Sequence, residues 1–206
     1  MQTEVLPADD PFSLPHAVDV LQNGGLVAFP TDTVYGLAAM AFNAEYIEQL
    51  YVVKGRNSSR AIAVLINSAG ELDKVAVNIN KSVSILARRF WPGPLTLIVP
   101  RHPNVPEVLS PLLTVGVRVP DHPVALALLN RTGPLAVTSA NLSGKQNTTS
   151  ANEVLIQMGG RIHLILDGGK TPGGTPSTVV DCTSPDLKIL RSGPISEIEL
   201  SKVFNK

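Results

Sequence analysis

Three cations, Lys54, Arg56 and Arg60, stand within the first seven residues of KGRNSSRAIAVLI, and an apolar, strand-like run follows at once. Ammonium and guanidinium groups this close repel one another unless a compact anion lies between them, so the spacing predicts a polyphosphate cradle. Taken singly, Arg56 and Arg60 also fit the description of surface cations beside a strand. Arg118 is harder to leave at a surface. It lies inside the apolar run VGVRVP, where a charge facing a sheet interior needs a partner. Hydroxyl- and amide-rich segments recur along the chain: FPTDTVYG, TVGVRVP, TSANLSG, GTPST and LRSG. Each falls at the end of a predicted strand. Such groups bind anions and oxygen-rich ligands without being nucleophiles themselves. Their spread predicts one concave site assembled from many strand ends.

Several familiar chemistries are absent. GGKT (168–171) has the end of a P-loop, but the glycine that motif requires at position 164 is Leu164. No Gly-x-Gly occurs, which removes the dinucleotide fingerprint. His16, His102, His122 and His163 are scattered without metal-ligand spacing. Cys182, the single cysteine, lies in a predicted strand and is expected to be packed rather than reactive. No acidic cluster suggests a metal held by protein alone, whereas Mg²⁺ carried on substrate phosphates needs one or two protein oxygens or none.

The elements that must position these residues follow from periodicity and turn chemistry. SLPHAVDVLQNGG is the first predicted helix, with Ser13 as N-cap and Gly24 as its stop. LVAFP (26–30) and VYGLAAMA (34–41) are predicted strands, leaving PTDT as the turn between them. NAEYIEQLYVVK is a helix capped by Asn43. AIAVLI (61–66) lacks polar alternation and is expected to be covered on both faces. Helices are expected near 69–77 and 81–90, with Trp91 as a core anchor before the WPGP break. Strands follow at LTLIVP (95–100), VGVRVP (115–120), PLAVTSA, RIHLILDGG (161–169), STVVDC (177–182) and LKILRSG. HPVALALLNRTG and SANEVLIQMGG are helices, and ISEIELSKVF is a terminal helix with a Ser196–Glu199 capping box. Adjacent strands early in the chain imply a mixed sheet, so the predicted class is α/β of the α+β type, helices against a twisted mixed sheet.

The 206 residues, 44% of them hydrophobic, suffice for one domain with a real core. Net charge is zero but unevenly spread. Residues 1–53 carry seven acids and no Lys or Arg, whereas residues 54–161 carry twelve Lys or Arg against five acids. That pattern suits a compact anionic ligand better than a general nucleic-acid coat. One cysteine, an acidic start and no apolar run of membrane length predict a cytoplasmic protein without membrane contact.

These segments together resemble the YrdC-like family, the L-threonylcarbamoyladenylate synthases. The Lys-x-Arg and Ser-x-Asn signature matches Lys54, Arg56, Ser139 and Asn141. FPTDTVYGL, WPGPLT, VRVPDHP, TSANLSG, LDGG and STVVD occur in the family's order, over about residues 13–199. The resemblance implies one YrdC-like domain over 1–206 of the short type, without the long type's extra C-terminal domain, and a deep, concave, positively charged cleft. It implies an ATP-dependent nucleotidyltransferase that condenses L-threonine, bicarbonate or CO₂ and ATP to L-threonylcarbamoyladenylate and pyrophosphate. That is the first step of threonylcarbamoyladenosine modification of tRNA, and a separate transferase complex completes it. By resemblance Lys54, Arg56, Arg60, Thr114, Ser139, Asn141, Asn147 and Arg191 face ATP. Lys54 and Arg56 stabilise charge, and no covalent nucleophile is needed. Thr33, Leu65, Arg118, Val137 and Ser177 surround L-threonine. Mg²⁺ comes with ATP, and weak tRNA binding is compatible with the cleft. The chain departs from common family residues at Asn57, Ala61, Leu65, Pro176 and Ser192, where Pro, Pro, His, Glu and Pro are frequent. Two other readings stay open: an RNA-binding module of the same fold without synthase activity, and a carbamoyl-transfer enzyme.

Overall fold

Short buried strands decide how this chain layers. In strand β2, Val27–Phe29, Val27 and Phe29 turn to one face and Ala28 to the other, and all three are fully buried. Strand β3, Gly36–Met40, follows antiparallel, with Leu37 and Ala39 opposed to Ala38. Apolar side chains on both faces require cover on both faces. In the computed structural model, which describes residues 2–184, 186 and 188–204, ten strands form one mixed sheet. The others are β1 (Glu4–Pro7), β4 (Ala63–Leu65), β5 (Leu95–Pro100), β6 (Thr114–Arg118), β7 (Leu135–Ser139), β8 (Leu164–Asp167), β9 (Thr178–Asp181) and β10 (Lys188–Arg191). Their spatial order is β1-β8-β2-β3-β7-β4-β6-β5-β9-β10.

The helices cover the two faces unequally. Helices α2 (Ala44–Lys54), α3 (Lys81–Phe90), α5 (Ala151–Met158) and α6 (Glu197–Phe204) supply Ile47, Leu50, Val83, Leu86, Val154 and Leu200 to the larger core. That core includes apolar residues from eight strands, β2 to β9. On the other face, among the described residues, only α1 (Ser13–Gln22) and α4 (Pro123–Thr132) pack, through Ala17, Leu21, Ala125, Leu128 and Leu129. They cover β8, β2, β3 and β7, where Leu164, Leu166, Val27, Phe29, Ala38 and Leu135 meet them. Among the described residues, the same face of β4, β6, β5 and β9 has no helix over it. The register carries that open floor across the sheet: Leu65 lies beside Arg118, Gly116 beside Ile98, and Thr96 beside Val179.

Several sequence expectations hold. Asn43 caps α2, its side chain accepting the Tyr46 N–H, and the Ser196–Glu199 box is formed reciprocally. Cys182 is fully buried, with its thiol pushed up to about 12, first by burial. Trp91 packs against the larger core and donates its indole N–H to Leu95 O at 2.7 Å.

Others need correction. Ser13 is the first helical residue rather than the cap, because Asp10 O takes its N–H and the Asp10 carboxylate takes that of Phe12. The segment at 69–77 is a 3-10 turn over Ala69–Lys74, after which Ala76 bridges to Arg101. Strand β4 is not covered on both faces, since Ala63 turns to the open floor. No strand was expected before Ser13, yet Glu4–Pro7 pairs parallel with β8 as a largely exposed edge. Such a strand is set by a partner far along the chain rather than by its own alternation. Among the described residues, no helix is long and apolar enough to cross a membrane.

One loop crossing fixes the far edge of the open floor. After β10 the chain returns over the start of β9, where Thr178 Oγ1 donates to Ile195 O and accepts the Ile195 N–H. Gly193 makes that approach feasible: a Cβ there would lie 2.4 Å from Thr178 N and 2.6 Å from Pro176 O, both backbone atoms. Gly193→Ala is therefore expected to lower unfolding free energy by about 1–3 kcal/mol, the usual range for overpacking. Urea denaturation checks this, and an unchanged midpoint would contradict the close approach.

Candidate active site

The uncovered half-face is the floor of a cavity of about 490 Å³. That volume suits a small-molecule site. Its floor is apolar or small, with Ala63, Leu65, Ile98, Gly116, Val137 and Val179. Its wall carries Lys54, Arg56, Arg60, Arg118, Lys145 and Arg191 and, among the described residues, no carboxylate. The cavity gathers Thr33, Ser139, Asn141, Asn147 and Ser177 as well, so twelve of the thirteen expected site residues meet in one place. Thr114 is the exception. It opens β6 opposite Pro100, at the outer end of the strand whose residues Gly116 and Arg118 do reach the cavity.

The basic loop is built from its own backbone. Gly55, in the left-handed conformation at φ 57°, ends α2 and turns the chain toward Arg56. Arg56 Nε donates to Arg60 O and its Nη2 to Ala61 O, and among the described residues Nη1 has no hydrogen-bond partner. Asn57 accepts the Ser59 N–H at 2.8 Å, a side-chain turn that shapes the loop without proline. Tyr51 OH reaches three carbonyls, those of Arg60, Val108 and Leu109, and ties the loop to the core. Lys54 is 2% exposed and its Nζ donates to Ser139 O and Asn141 O. Burial, and then Arg56 and Arg60, lower its pKa to about 7. A neutral amine makes both of those bonds, so the third N–H of the protonated form is the one free for an anion.

Asn141 presents one defined atom. Its Nδ2 donates to Leu142 O and Lys145 O, both acceptors only, so the amide orientation is fixed and Oδ1 is left buried without a partner. A carboxamide oxygen of this kind accepts an N–H or O–H donor or ligates a hard cation.

The second cluster centres on Arg118, 6% exposed. Its Nε donates to Gly93 O at 2.9 Å, its Nη1 to Thr33 Oγ1 at 3.0 Å and its Nη2 to Asp32 Oδ1. Burial lowers the Arg118 pKa and the Asp32 carboxylate pushes it back. Asp32 also accepts the Asp121 N–H, which ties the turn after β2 to the turn after β6. Two Arg118 N–H groups remain, one on each terminal nitrogen, enough for a carboxylate. On the far edge, Arg191 clamps Ser177 through its carbonyl and hydroxyl, and Ser177 Oγ meets Thr96 Oγ1 at 2.8 Å.

Sequence reasoning missed Thr31, Asp32 and Thr96. Thr96 breaks the apolar run LTLIVP, a visible signal of a cavity-facing position. Thr31 and Asp32 had a weaker one, since PTDT reads equally as a plain turn.

This arrangement can hold two anionic groups near an oxygen-rich ligand. Tyr35, whose hydroxyl donates to Gly169 O, is pushed up to about 12 by burial and then by Asp167.

Residues 19–193 match the Sua5/YciO/YrdC family, which carries the description telomere recombination. A Bacillus subtilis relative named threonylcarbamoyl-AMP synthase is 41% identical over 205 residues, 98% of this chain and 59% of the relative. A Pyrococcus abyssi relative of the same name is 43% identical over 192 residues, 92% of this chain and 56% of the relative. The chain thus spans little more than half the length of these two. The crystal structure of P. abyssi Sua5 complexed with L-threonine superposes with a TM-score of 0.92 at 39% identity, over 98% of this chain and 60% of that one. A match across most of the sequence, joined to the same fold, makes this chain a member of the Sua5/YciO/YrdC family.

Proposed function

We propose that this chain is an L-threonylcarbamoyladenylate synthase, condensing L-threonine, bicarbonate or CO₂ and ATP to L-threonylcarbamoyladenylate and pyrophosphate. The observation that carries the reading is a single cavity holding both a polyphosphate-type cation set and the Arg118–Thr33 pair. The relatives' name and the L-threonine held by the P. abyssi protein support it.

The chemistry follows from the residue types. The threonine amine attacks the carbon of CO₂, an N–C bond forms, and a proton leaves nitrogen for solvent. A carbamate oxygen then attacks the α-phosphorus, the bond to the bridging oxygen breaks, and pyrophosphate departs. Positioning and charge compensation carry such a reaction, with no enzyme nucleophile. Lys54, Arg56 and Arg60 face the phosphates. Arg118 holds the threonine carboxylate, and Leu65 and Val137 give its methyl group an apolar floor. Asn141 Oδ1 is the protein oxygen that fits Mg²⁺, and Mg²⁺ on ATP would add charge compensation at the phosphates. The product is a reactive mixed anhydride, so its consumer is a transferase complex acting on tRNA. With zero net charge, this chain's own contact with tRNA is weak and salt-sensitive. ATP and tRNA as partners put the protein in the cytoplasm.

The deciding experiment is pyrophosphate release by the purified chain from ATP and bicarbonate, with and without L-threonine. Release that depends on L-threonine is expected. ATP binding without any release would favour the RNA-binding module. Arg56→Ala is expected to reduce turnover by about 10²–10³-fold, the range for removing one charge-stabilising donor. Its thermal midpoint should stay near wild type, because among the described residues the Arg56 side chain hydrogen-bonds to Arg60 O and Ala61 O of its own loop. Lys54→Ala is the poorer probe, since Lys54 also ties Ser139 and Asn141 together.

Lys54 also links binding to pH. An anion raises the pKa of a nearby ammonium, so the nucleotide-bound state holds more protons than the free state. Affinity for ATP should rise as pH falls toward about 7, and level off below it. Calorimetry of ATP binding at pH 8, in buffers of different ionisation enthalpy, should register net proton uptake. Arg56→Ala relieves the stronger of the two cationic charges acting on Lys54 and should reduce that uptake.

A further inference from the structure

The open floor changes character across Arg118. On one side lies Leu65, its parallel neighbour in β4, with Val137 of β7 farther along. On the other side lies β5, where Leu97 pairs antiparallel with Val117 and so brings Thr96 abreast of Arg118. Thr96 is 5% exposed and turns its methyl toward Gly116. Its hydroxyl lies 2.8 Å from that of Ser177, 4% exposed, and both residues line the cavity. Two hydroxyls hold two protons, and the contact between them uses one, whichever oxygen donates. Ser177 Oγ also accepts an N–H from Arg191 Nη2 at 3.0 Å, while Thr96 Oγ1 has no further hydrogen-bond partner among the described residues. If Ser177 donates to Thr96, the spare proton is on Thr96 and each oxygen keeps one spare lone pair. If Thr96 donates to Ser177, the spare proton is on Ser177 and both spare lone pairs are on Thr96. In either direction the pair faces the cavity with one unused proton and two unused lone pairs.

We infer that Thr96 is a specificity-determining residue, closing a ring of three hydroxyls with Ser177 and the β-hydroxyl of the bound amino acid. The inference rests on the synthase reading above, which puts the ligand carboxylate on Arg118. A third hydroxyl fits both arrangements of the pair. It accepts the spare proton from one oxygen and donates its own to the other, so every proton in the ring is used. Ser177 Oγ then donates once and accepts twice, its full capacity, with Arg191 included. L-Threonine carries a methyl and a hydroxyl on Cβ, and the floor beside Arg118 is apolar toward Leu65 and hydroxylic toward Thr96. That floor reads which substituents are present and which side each occupies. L-Valine puts a second methyl against the hydroxyl pair and strands the spare proton, a larger loss than the missing methyl of L-serine. L-allo-Threonine, with the two substituents exchanged, meets the wrong surface on both sides.

The test measures pyrophosphate release against the concentration of L-threonine, L-serine, L-valine and L-allo-threonine, in wild type, Thr96→Val and Thr96→Ser. In wild type, kcat/KM should be lower for L-valine and L-allo-threonine than for L-threonine by about 10²-fold or more, with L-serine between. Thr96→Val leaves a ligand hydroxyl one hydrogen bond, to Ser177, where the pair gives two. Its kcat/KM for L-threonine is expected to drop roughly tenfold, while that for L-valine stays level or rises. Thr96→Ser, which keeps the hydroxyl, should keep the wild-type preference. A packing defect would lower both substrates together, and that outcome in Thr96→Val, or an unchanged ratio of L-threonine to L-valine, overturns the inference. So does a wild type that uses L-valine or L-allo-threonine as well as L-threonine, a result that decides the matter even if Thr96→Val does not fold. If no amino acid gives release, the synthase reading falls, and calorimetry of the same four amino acids decides the inference by itself. L-Threonine bound in preference to L-valine by wild type but not by Thr96→Val supports it, and equal binding of the two by wild type overturns it.

Discussion

A guanidinium on the floor of a sheet is the constraint from which the rest of this site follows. Arg118 is almost wholly inside the protein, and an unpaired charge there would cost several kcal/mol. Its three contacts come from two separate places in the chain: the Gly93 carbonyl before β5, and the Thr33 hydroxyl and the adjacent Asp32 carboxylate after β2. Satisfying one charge thus brings the turn after β2, the WPGP break and the end of β6 together. That union forms one end of the cavity. Ion pairing here selects a geometry more than it adds stability, because removing two charges from water offsets most of their mutual attraction.

The cavity exists because the sheet is covered asymmetrically. Four helices close one face, while α1 and α4 close only part of the other. Period-two alternation then places Ala63, Ile98, Gly116 and Val179 where a helix would otherwise pack. Small side chains keep the floor deep. At Gly116 a Cβ would already press Thr96 and Ile98 at 3.1 and 3.2 Å. An apolar floor with a cationic rim also strengthens each electrostatic contact made above it, since low-dielectric walls screen less than water.

How much of this was legible in the sequence depended on whether the signal was local. Asn43, Gly133 and the Ser196–Glu199 box act within one turn of helix, and each stands where its spacing put it. The interior apolar strands carried their own pattern. The basic loop was legible because three like charges in seven residues require an explanation even without a fold. Strand β1 was not, because EVLP is held by hydrogen bonds to β8, about 160 residues away. Ser13 misled because a serine before an apolar helix resembles a cap, whereas Asp10 was already serving that end. Thr114 shares a strand face with Gly116 and Arg118, so alternation alone could not show that the cavity stops short of it. Asp32 and Thr31 gave only a weak signal, because PTDT reads equally as a plain turn and Asp32 acquires its partner, Arg118, from far along the chain.

Contacts made across the chain also decide how such a site can be selective. Burial and then Arg56 and Arg60 make Lys54 harder to charge, as burial and then Arg60 do for Arg56. Repulsion among such cations is relieved better by a polyanion than by a single negative charge. Beside Lys54, Asn141 has both amide protons committed to the protein and offers Oδ1 alone. A phosphate or carboxylate oxygen is repelled by such an atom, whereas an amine, a hydroxyl or a metal ion is not. Donors and acceptors therefore each hold fixed places in one cavity, and a ligand carrying both kinds of group is held in the orientation in which each meets its complement. The chemistry then belongs to the ligands, and the protein's contribution is to make any other orientation costly.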